Sequence, residues 1–390
     1  MAAEVPFRDK TPLVPAPLTA ESLSARTGGL GNARITEQDL AQMAEEGFSE
    51  VPNYDKFYFA IICALPKEHD AVVSSAEYHW PTTPLDLNDP NVYTLAKMGG
   101  HNVVIARPLG VGSGQAQCIT EALRRKFTNV ALFLVVGICG GVPFFPVPQD
   151  EKDAVRKIIL GDVVISSSIA QYLYQGQVKP DGFKMRNILN GNDWAMQPSP
   201  RARSLAQALE GRAWLGIAVR NMRNNLAQLQ LNPDLTYSYP GAEQDRLYQA
   251  TYYHKHHGAR DCACARKYES CDDAMNTPCQ VLCDDKHLIK DGASQKRGGL
   301  PNIHLGIIAS GDIIMRSGEL RDEVSRVQQA MAFEMEGAGV QIGSSSCLVI
   351  KAVCDYADSH KHKDFQEYAA GVAASAAKAV LQWYAPEKDG

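Results

Sequence analysis

Two carboxylates, Glu334 and Glu336, stand in the stretch Phe333-Glu334-Met335-Glu336-Gly337-Ala338-Gly339, whose other members are apolar or glycine. Charged side chains in such a run are rarely buried without a partner or a task. A few residues on, Cys347-Leu-Val-Ile-Lys-Ala-Val-Cys354 reads as a buried strand that delivers Asp355 at its carboxyl end, with Asp358 close behind. Ligands of open α/β sheets sit outside the carboxyl ends of strands, often where the strand order reverses. One polar segment thus reaches a site from a helix start and a second from a strand end. The remaining chain is the scaffold that brings them together.

That scaffold alternates strand and helix patterns. A continuous apolar run at 57–64 predicts a strand buried on both faces, followed by a helix with Pro66 in its first turn and Glu68 just behind. Runs 93–98 and 102–109 form a strand pair around Gly99-Gly100. Gly110-Val-Gly112-Ser113-Gly114 then opens a helix with Ala116, Ile119, Leu123 and Phe127 at helical spacing. Strands at 130–136 (ending in Gly137-Ile-Cys-Gly140-Gly141), 158–165, 303–310 and 347–354 and helices over 317–329 and 364–384 complete the pattern. From 171 to 302 it loosens into an insertion, with one helix between Pro200 and Leu231 and a cysteine-bearing loop. The sum is an α/β chain folded as a three-layer α/β/α sandwich with a large insertion. Residues 1–53 read as a peripheral arm with one short helix near 36–46, and 54–390 as the main domain. The glycine turns at 110–114, 137–141 and 310–311 fall at the same ends of neighbouring strands, which suits a shared small-ligand cleft. Gly110-x-Gly112 alone does not make a dinucleotide fold, because no acid closes a second strand about 20 residues later.

Bulk properties narrow the class. A formal charge of −5 over 390 residues gives no electrostatic footprint for nucleic acid or an anionic membrane. The N-terminus lacks the basic and apolar regions of a signal peptide, and no apolar run reaches about 18 residues. A soluble, cytoplasmic protein is expected, with its ten cysteines mostly thiols.

Seven segments carry a resemblance: Ala64-Leu-Pro-Lys-Glu68, Gly110-Val-Gly112, Val136-Gly137-Ile-Cys-Gly140-Gly141, Leu160-Gly-Asp162-Val-Val, Ser310-Gly-Asp312, Phe333-Glu-Met-Glu336 and Cys354-Asp355-Tyr-Ala-Asp358. In this order they resemble the purine nucleoside/uridine phosphorylase superfamily, and within it the methylthioadenosine/S-adenosylhomocysteine nucleosidases, over about half the chain. The ends of the set and the cysteine-bearing insertion are similar to fungal stand-alone versions of the domain. The resemblance implies a central twisted mixed sheet, cleavage of a purine N-glycosidic bond, no cofactor, and a homo-oligomer of two or more subunits. Such cleavage passes through an oxocarbenium-like sugar, so it needs an acid at the base, a held nucleophile and a grip on the sugar hydroxyls.

By the same resemblance, Asp355 is the general acid at purine N7, a role suited to a carboxyl group whose pKa burial has raised. Glu336 grips the ribose hydroxyls with Met335 packed on the sugar, and Glu68 positions the attacking water. Backbone at Ser310, Gly311 and Ile314 lines the base pocket, while Gly110, Gly112 and Gly137 shape the cleft. Glu334 is a supporting partner of the site or turns outward. Read without the family, Glu68 is equally a first-turn helix acid favoured by the dipole. Asp358 fixes the loop that follows it, and His360 and His362 are solvated.

The nucleophile separates two reactions. Phosphorylases of this family hold phosphate with arginines, one in a turn after the first strand and one in the strand before the second glycine turn. Here the first turn carries Glu68 and the other strand has no arginine, which favours water over phosphate. Lys67 and Arg107 are the available substitutes. A phosphate-dependent phosphorylase and a nucleoside-binding sensor without turnover are the alternatives. In the insertion, Cys262, Cys264, Cys271, Cys279 and Cys283 follow His254, His256 and His257 without the paired CxxC spacing of common zinc modules, so structural zinc, disulfides and free thiols all stay open. Residues 239–248 are a candidate lid, and the insertion is the candidate wall for the substrate's 5′ group.

Overall fold

The computed structural model describes residues 51–80, 86–146, 155–172, 177–179, 182–184, 195–258, 262–266, 270–289, 293–361 and 363–385. The arm helix expected near 36–46 lies outside them, as does His362. Ten strands build the main sheet: β1 (Phe59–Ile62), β2 (Tyr78–His79), β3 (Tyr93–Met98), β4 (His101–Ala106), β5 (Leu132–Gly141), β6 (Val163–Gln171), β7 (Ala195–Met196), β8 (Ile303–Ser310), β9 (Ala330–Glu334) and β10 (Cys347–Asp355). Their order is β7-β6-β8-β9-β5-β1-β4-β3-β2, with β10 paired to both β5 and β6. β1 runs parallel to β4 and β5, and β10 parallel to β5 but antiparallel to β6. β9 meets the far end of β5 antiparallel at Phe333–Gly140 and Ala332–Gly141. The pairings β5–β10–β6–β8–β9–β5 therefore close a ring, and one half of the mixed sheet curls onto itself.

Seven helices matter for the site: α1 (Pro66–Ser75), α2 (Ser113–Lys126), α3 (Pro200–Glu210), α4 (Arg212–Gln230), α5 (Gly318–Gln328), α6 (Gly337–Gly343) and α7 (Asp364–Leu381). α7 packs on β5 and β10 with α1 and α4 against it, while α2 packs with α6, which lies against β10 and β6. This is the helix–sheet–helix layering that the sequence implies. The central strands β1 and β10 are buried along their whole length, as strands covered on both faces must be. The buried side of α7 is mostly alanine, which lets the helix axis come close to the sheet.

Two elements differ from the sequence reading. The helix expected between Pro200 and Leu231 is broken at Gly211, whose ψ of 128° is extended, so α3 ends there and α4 starts anew. The strand expected to stop at Val136 continues to Gly141, so Gly137–Gly141 is paired backbone rather than a turn. The glycines are needed for close approach: a Cβ on Gly141 would lie 2.6 Å from Val353 and one on Gly140 2.8 Å from the Ala357 methyl.

The turn into β6 is pinned by Asp162, which is wholly buried. Arg297, on a short helix of the insertion (Ala293–Arg297), donates to it in a two-pronged fork at 2.7 Å each. The Asn302 and Ile159 N–H groups donate to the same carboxylate, and His304 Nε2 lies 2.9 Å away. Burial alone would raise the Asp162 pKa, but His304 and Arg297 override it and hold the carboxyl below its ordinary value. A carboxyl lowered on folding adds stability above its unfolded pKa of about 3.9 and loses it as pH falls further toward the folded value. Asp162→Ala is expected to cost about 3–5 kcal/mol, because it strands a buried histidine and a partly buried arginine. Urea denaturation at neutral pH measures that loss, and the gap between wild type and variant should close as pH drops below about 4.

Candidate active site

A cleft of ≈ 260 Å³ opens where β1, β5, β9 and β10 present their ends. Glu68, Glu334, Met335, Glu336 and Asp355, singled out in the sequence, all line it. Their placement follows from local chemistry. Leu65 has no side chain that can cap α1, so Glu68, three residues on, turns back and accepts the Ala64 and Leu65 N–H groups at 2.8 Å each. Its other oxygen accepts Ile138 N–H at 2.7 Å, which ties α1 to β5. Gly137 makes room for this: a Cβ there would sit 1.9 Å from the Glu68 carboxylate. The first-turn helix role and the site role of Glu68 are thus held by one side chain.

Glu334 ends β9 and turns inward, where its carboxylate accepts the Glu336 and Gly337 N–H groups at 3.0 Å and so closes the start of α6. Burial, and then the nearby Glu336, push its pKa up against the opposing pull of Lys351. Glu336 accepts Gly112 N–H at 3.3 Å, and Gly112, at φ 103°, takes a backbone conformation that favours glycine. Asp312 caps α2, accepting the Ser113 N–H and hydroxyl at 2.7 Å each.

The cation beneath these acids was not anticipated. Lys351, mid-strand in β10 and 1% exposed, places its Nζ 3.2 Å from Glu336, 3.7 Å from Glu68 and 4.0 Å from Glu334. Burial would lower its pKa, but the three carboxylates outweigh that and raise it. The signal was in the sequence as the single charge inside the apolar run 347–354. A lysine there has to meet acids, and three lie within reach.

Asp355 ends β10 beside the cleft. One of its oxygens accepts Ala357 N–H at 2.8 Å and pairs with Lys361 Nζ at 2.7 Å. The buried strand end therefore does not hold an isolated carboxyl; a lysine six residues on closes over it. The chain turns sharply here, with Ala357 at φ 52°. Asp358 fixes the loop as expected, accepting His360 N–H at 2.8 Å with Arg321 3.8 Å away. His360 is buried rather than solvated, stacked on Tyr248 at 4.2 Å. Burial pushes the Cys139 and Cys354 thiols, both in the cleft wall, well up from their ordinary value, which keeps them protonated.

Other expectations move. Ser310 and Gly311 stand behind the wall instead of lining it: Ser310 is fully buried and its hydroxyl accepts Ala338 N–H at 3.0 Å, while Gly311 N–H bonds Glu334 O. Ile313, Ile314 and Met315 do line the cleft, and Ile314 is half exposed at its mouth. Gly110, Gly112 and Gly137 shape the cleft without lining it, whereas Val111 and Ile138 do line it. Tyr172 and Phe333, edge to face at 5.4 Å, are apolar walls that the sequence reading passed over. Tyr172, at the start of the 171–302 insertion, is its one described residue that lines the cleft, so the lid at 239–248 is not seen there and the insertion's part in the wall among the described residues is that single side chain. Segment 239–248 packs instead on α7 and on the loop after β10, through Tyr239 on Tyr368 and Asp245 on the Tyr356 hydroxyl.

Lys351→Met would leave three buried carboxylates without their cation and should cost about 3–5 kcal/mol. In the double variant Lys351→Met/Glu334→Gln, one of the stranded charges is gone. Chemical denaturation of both should show part of the loss recovered, and no recovery would mean that Glu334 and Lys351 are not coupled.

Comparison with known proteins adds the following. No family model matches the chain. A nucleotide-binding leucine-rich repeat (NLR)-like protein of Hyaloscypha variabilis is 29% identical over 332 residues, which are 84% of this chain, and the chain spans 29% of that protein's length. Among solved structures, the 5′-methylthioadenosine/S-adenosylhomocysteine nucleosidase of Neisseria meningitidis in complex with methylthio-immucillin-A matches with a TM-score of 0.48 at 16% identity, covering 84% of this chain and 99% of that one. The corresponding Helicobacter pylori nucleosidase gives 0.47 at 15% and H. pylori futalosine hydrolase 0.46 at 15%, each with 84% of this chain and 99% of the other covered. The chain is thus similar to nucleosidases in structure and to a segment of a much longer fungal protein in sequence.

Proposed function

We propose that this chain is a purine nucleosidase that cleaves the N-glycosidic bond of a purine ribonucleoside with water, giving free base and ribose. The observation that carries this reading is the gathering of Glu68, Glu336 and Asp355, from three separate segments, around one cleft that also has apolar walls at Val111, Ile138, Tyr172, Ile313, Ile314 and Phe333. A nucleoside has matching parts: a flat base for Phe333, Tyr172 and the isoleucines, hydroxyls for a carboxylate, and a leaving nitrogen that needs a proton. Asp355 is the acid toward the base, and Lys361 Nζ, 2.7 Å away, fixes the direction of its carboxyl group. Glu336 holds the ribose hydroxyls, and Glu68 holds the attacking water. Lys351 keeps both acids in place from below.

Charge favours water over phosphate. Four carboxylates (Glu68, Glu334, Glu336, Asp355) and two lysines (Lys351, Lys361) line the cleft, and each lysine is already paired. A phosphate dianion would enter against net like charge, with no arginine among the described lining residues to hold it. Lys67 is engaged with Glu367 at 3.0 Å, and Arg107 is exposed away from the cleft. A second reading, a nucleoside-binding sensor without turnover, is favoured by the NLR-like protein whose segment this chain matches. In that reading the same cleft binds the nucleoside and leaves it intact.

Base release from adenosine, inosine, guanosine, methylthioadenosine and ATP, each with and without phosphate, tests the proposal. Free base and ribose, unchanged by phosphate, are expected. Asp355→Asn should lower kcat by about 10²–10⁴-fold, the usual worth of a positioned proton donor. Glu336→Gln should lower kcat/KM by roughly 10- to 100-fold, as expected when a hydrogen bond to a charged group worth about 1.5–3 kcal/mol is lost. Ribose 1-phosphate as product would turn the assignment to a phosphorylase. Tight binding with no release from any substrate would turn it to the sensor.

A further inference from the structure

The insertion brings its cysteines and histidines into two clusters that the proposed reaction does not use. In the first, Cys262 Sγ lies 3.2 Å from Cys264 Sγ and 3.7 Å from Cys271 Sγ, and His256 Nδ1 lies 3.4 Å from Cys264 and 3.5 Å from Cys271. All four donor atoms fall within 4.8 Å of one another. These separations are far beyond a disulfide's S–S bond of about 2.05 Å. They are the edges of a tetrahedron around one metal ion: with Zn–S near 2.3 Å and Zn–N near 2.0 Å, adjacent donors stand about 3.5–3.8 Å apart. The surroundings suit the same role. His256 Nε2 lies 3.1 Å from Asp273, the carboxylate–histidine contact that turns the other ring nitrogen toward a metal. Ala274 N–H points at Cys271 Sγ at 3.4 Å, as amides do toward thiolates.

The second cluster is deeper. His254 Nδ1 lies 3.2 Å from Cys283 Sγ and 3.4 Å from Cys279 Sγ, and its Nε2 is held 2.7 Å from the Ala274 carbonyl, which leaves Nδ1 as the free donor. Cys279 and Cys283 are one helical turn apart and so present their sulfurs side by side. His360 completes the group: it is 1% exposed, and a ring nitrogen stands within 4.8 Å of the His254 and Cys283 donors. Neither of its ring nitrogens makes a hydrogen bond among the described residues, although Asp358 is 3.5 Å from Nδ1. His254, Cys283 and His360 thus present three donors to one point, and Cys279, 3.4 Å from His254 but outside that 4.8 Å group, is the fourth ligand that a small movement of its thiol would bring in.

We propose that the insertion is a zinc module holding two structural zinc ions, one at His256, Cys262, Cys264 and Cys271 and one at His254, Cys279, Cys283 and His360. The outer set already has four protein donors together, and the inner set has three with Cys279 as the fourth, so neither ion keeps an open position for catalysis. The ligands alternate along the chain: His254 serves the inner ion, His256 to Cys271 the outer, Cys279 and Cys283 the inner again. Each ion therefore closes a loop that has no extensive core of its own. The inner ion also reaches outside the insertion, because His360 lies on the loop that follows Asp355. The assignment does not depend on the nucleosidase reading.

Metal content of the full chain, purified under reducing conditions and dialysed against zinc, tests it. About two equivalents of zinc are expected, Cys264→Ser should retain about one, and His360→Gln should retain about one. Should either variant fail to fold, cobalt(II) titration of the wild-type chain decides independently. Tetrahedral cobalt bound by thiolates gives strong visible d–d bands and sulfur-to-metal charge transfer, and zinc should abolish both. No zinc uptake by the reduced chain, a weak octahedral cobalt spectrum, unchanged zinc in Cys264→Ser, or a Cys262–Cys264 disulfide in freshly purified protein would each overturn the proposal. Full zinc in His360→Gln would overturn the inner site alone.

Discussion

One buried ammonium organises the centre of this molecule. Lys351 stands among Glu68, Glu334 and Glu336, which arrive from the start of α1, the end of β9 and the start of α6. Taking any one of these charges from water alone would cost several kcal/mol, so they are stable only as a set. The set is over-supplied with donors: Glu68 takes three backbone N–H groups, Glu334 two and Glu336 one, besides the lysine. Those amides lie in four separate segments, at 64–65, 112, 138 and 336–337. The cluster thereby fixes where strand ends and helix starts lie relative to each other, and the cleft is the space left above it.

This arrangement separates the task of holding from the task of reacting. All four oxygens of Glu68 and Glu336 are engaged by backbone amides or Lys351, so each carboxylate is presented to the cleft in a fixed direction. Preorganised charge needs no rearrangement when a reaction develops charge of its own. The same economy governs the glycines. Gly137 is required because the Glu68 carboxylate occupies the place of a side chain, and Gly112 because its amide must turn to Glu336. A motif that looks like a phosphate-binding loop in the sequence is here a set of clearances around carboxylates.

Much of the layout was legible because it depends on local pattern. The continuous apolar runs at β1, β5 and β10 announce strands covered on both faces, and the acids at 334, 336 and 355 announce a site because charges within or at the end of such runs need a reason, whereas Glu68, flanked by Lys67 and His69, was singled out only through the family resemblance. What was not legible depends on pairings distant in sequence. The ring closure of β5, β10, β6, β8 and β9 joins residues some 200 apart, and no periodicity records it. Lys351 was visible as a residue but not as a partner, since its acids come from residue 68 as well as from 334 and 336. Ser310 and Gly311 were placed on the wall from motif order alone. Their neighbours show instead that the serine hydroxyl and the glycine amide hold α6 and β9 together. His360 in Ser-His-Lys-His-Lys looked solvated because its sequence neighbours are polar, whereas the surface that buries it comes from the insertion.

That last point bears on how the acid is positioned. Of the described insertion residues only Tyr172 lines the cleft, yet the insertion grips the loop carrying Lys361 at several places: Tyr248 stacks on His360, His254 N–H donates to the Ser359 hydroxyl, and Asp245 takes the Tyr356 hydroxyl. The loop also carries a positive φ at Ala357, a conformation that costs of order 1 kcal/mol or more and persists only when its surroundings enforce it. Asp355 is therefore set from two sides, by the strand that ends in it and by the insertion that clamps the turn beyond it. An insertion that adds only Tyr172 to the cleft wall can in this way govern the geometry of Asp355. Any change that loosens the cysteine-bearing loops is transmitted to Asp355 through residues 356–361, of which Ala357 and Lys361 themselves line the cleft.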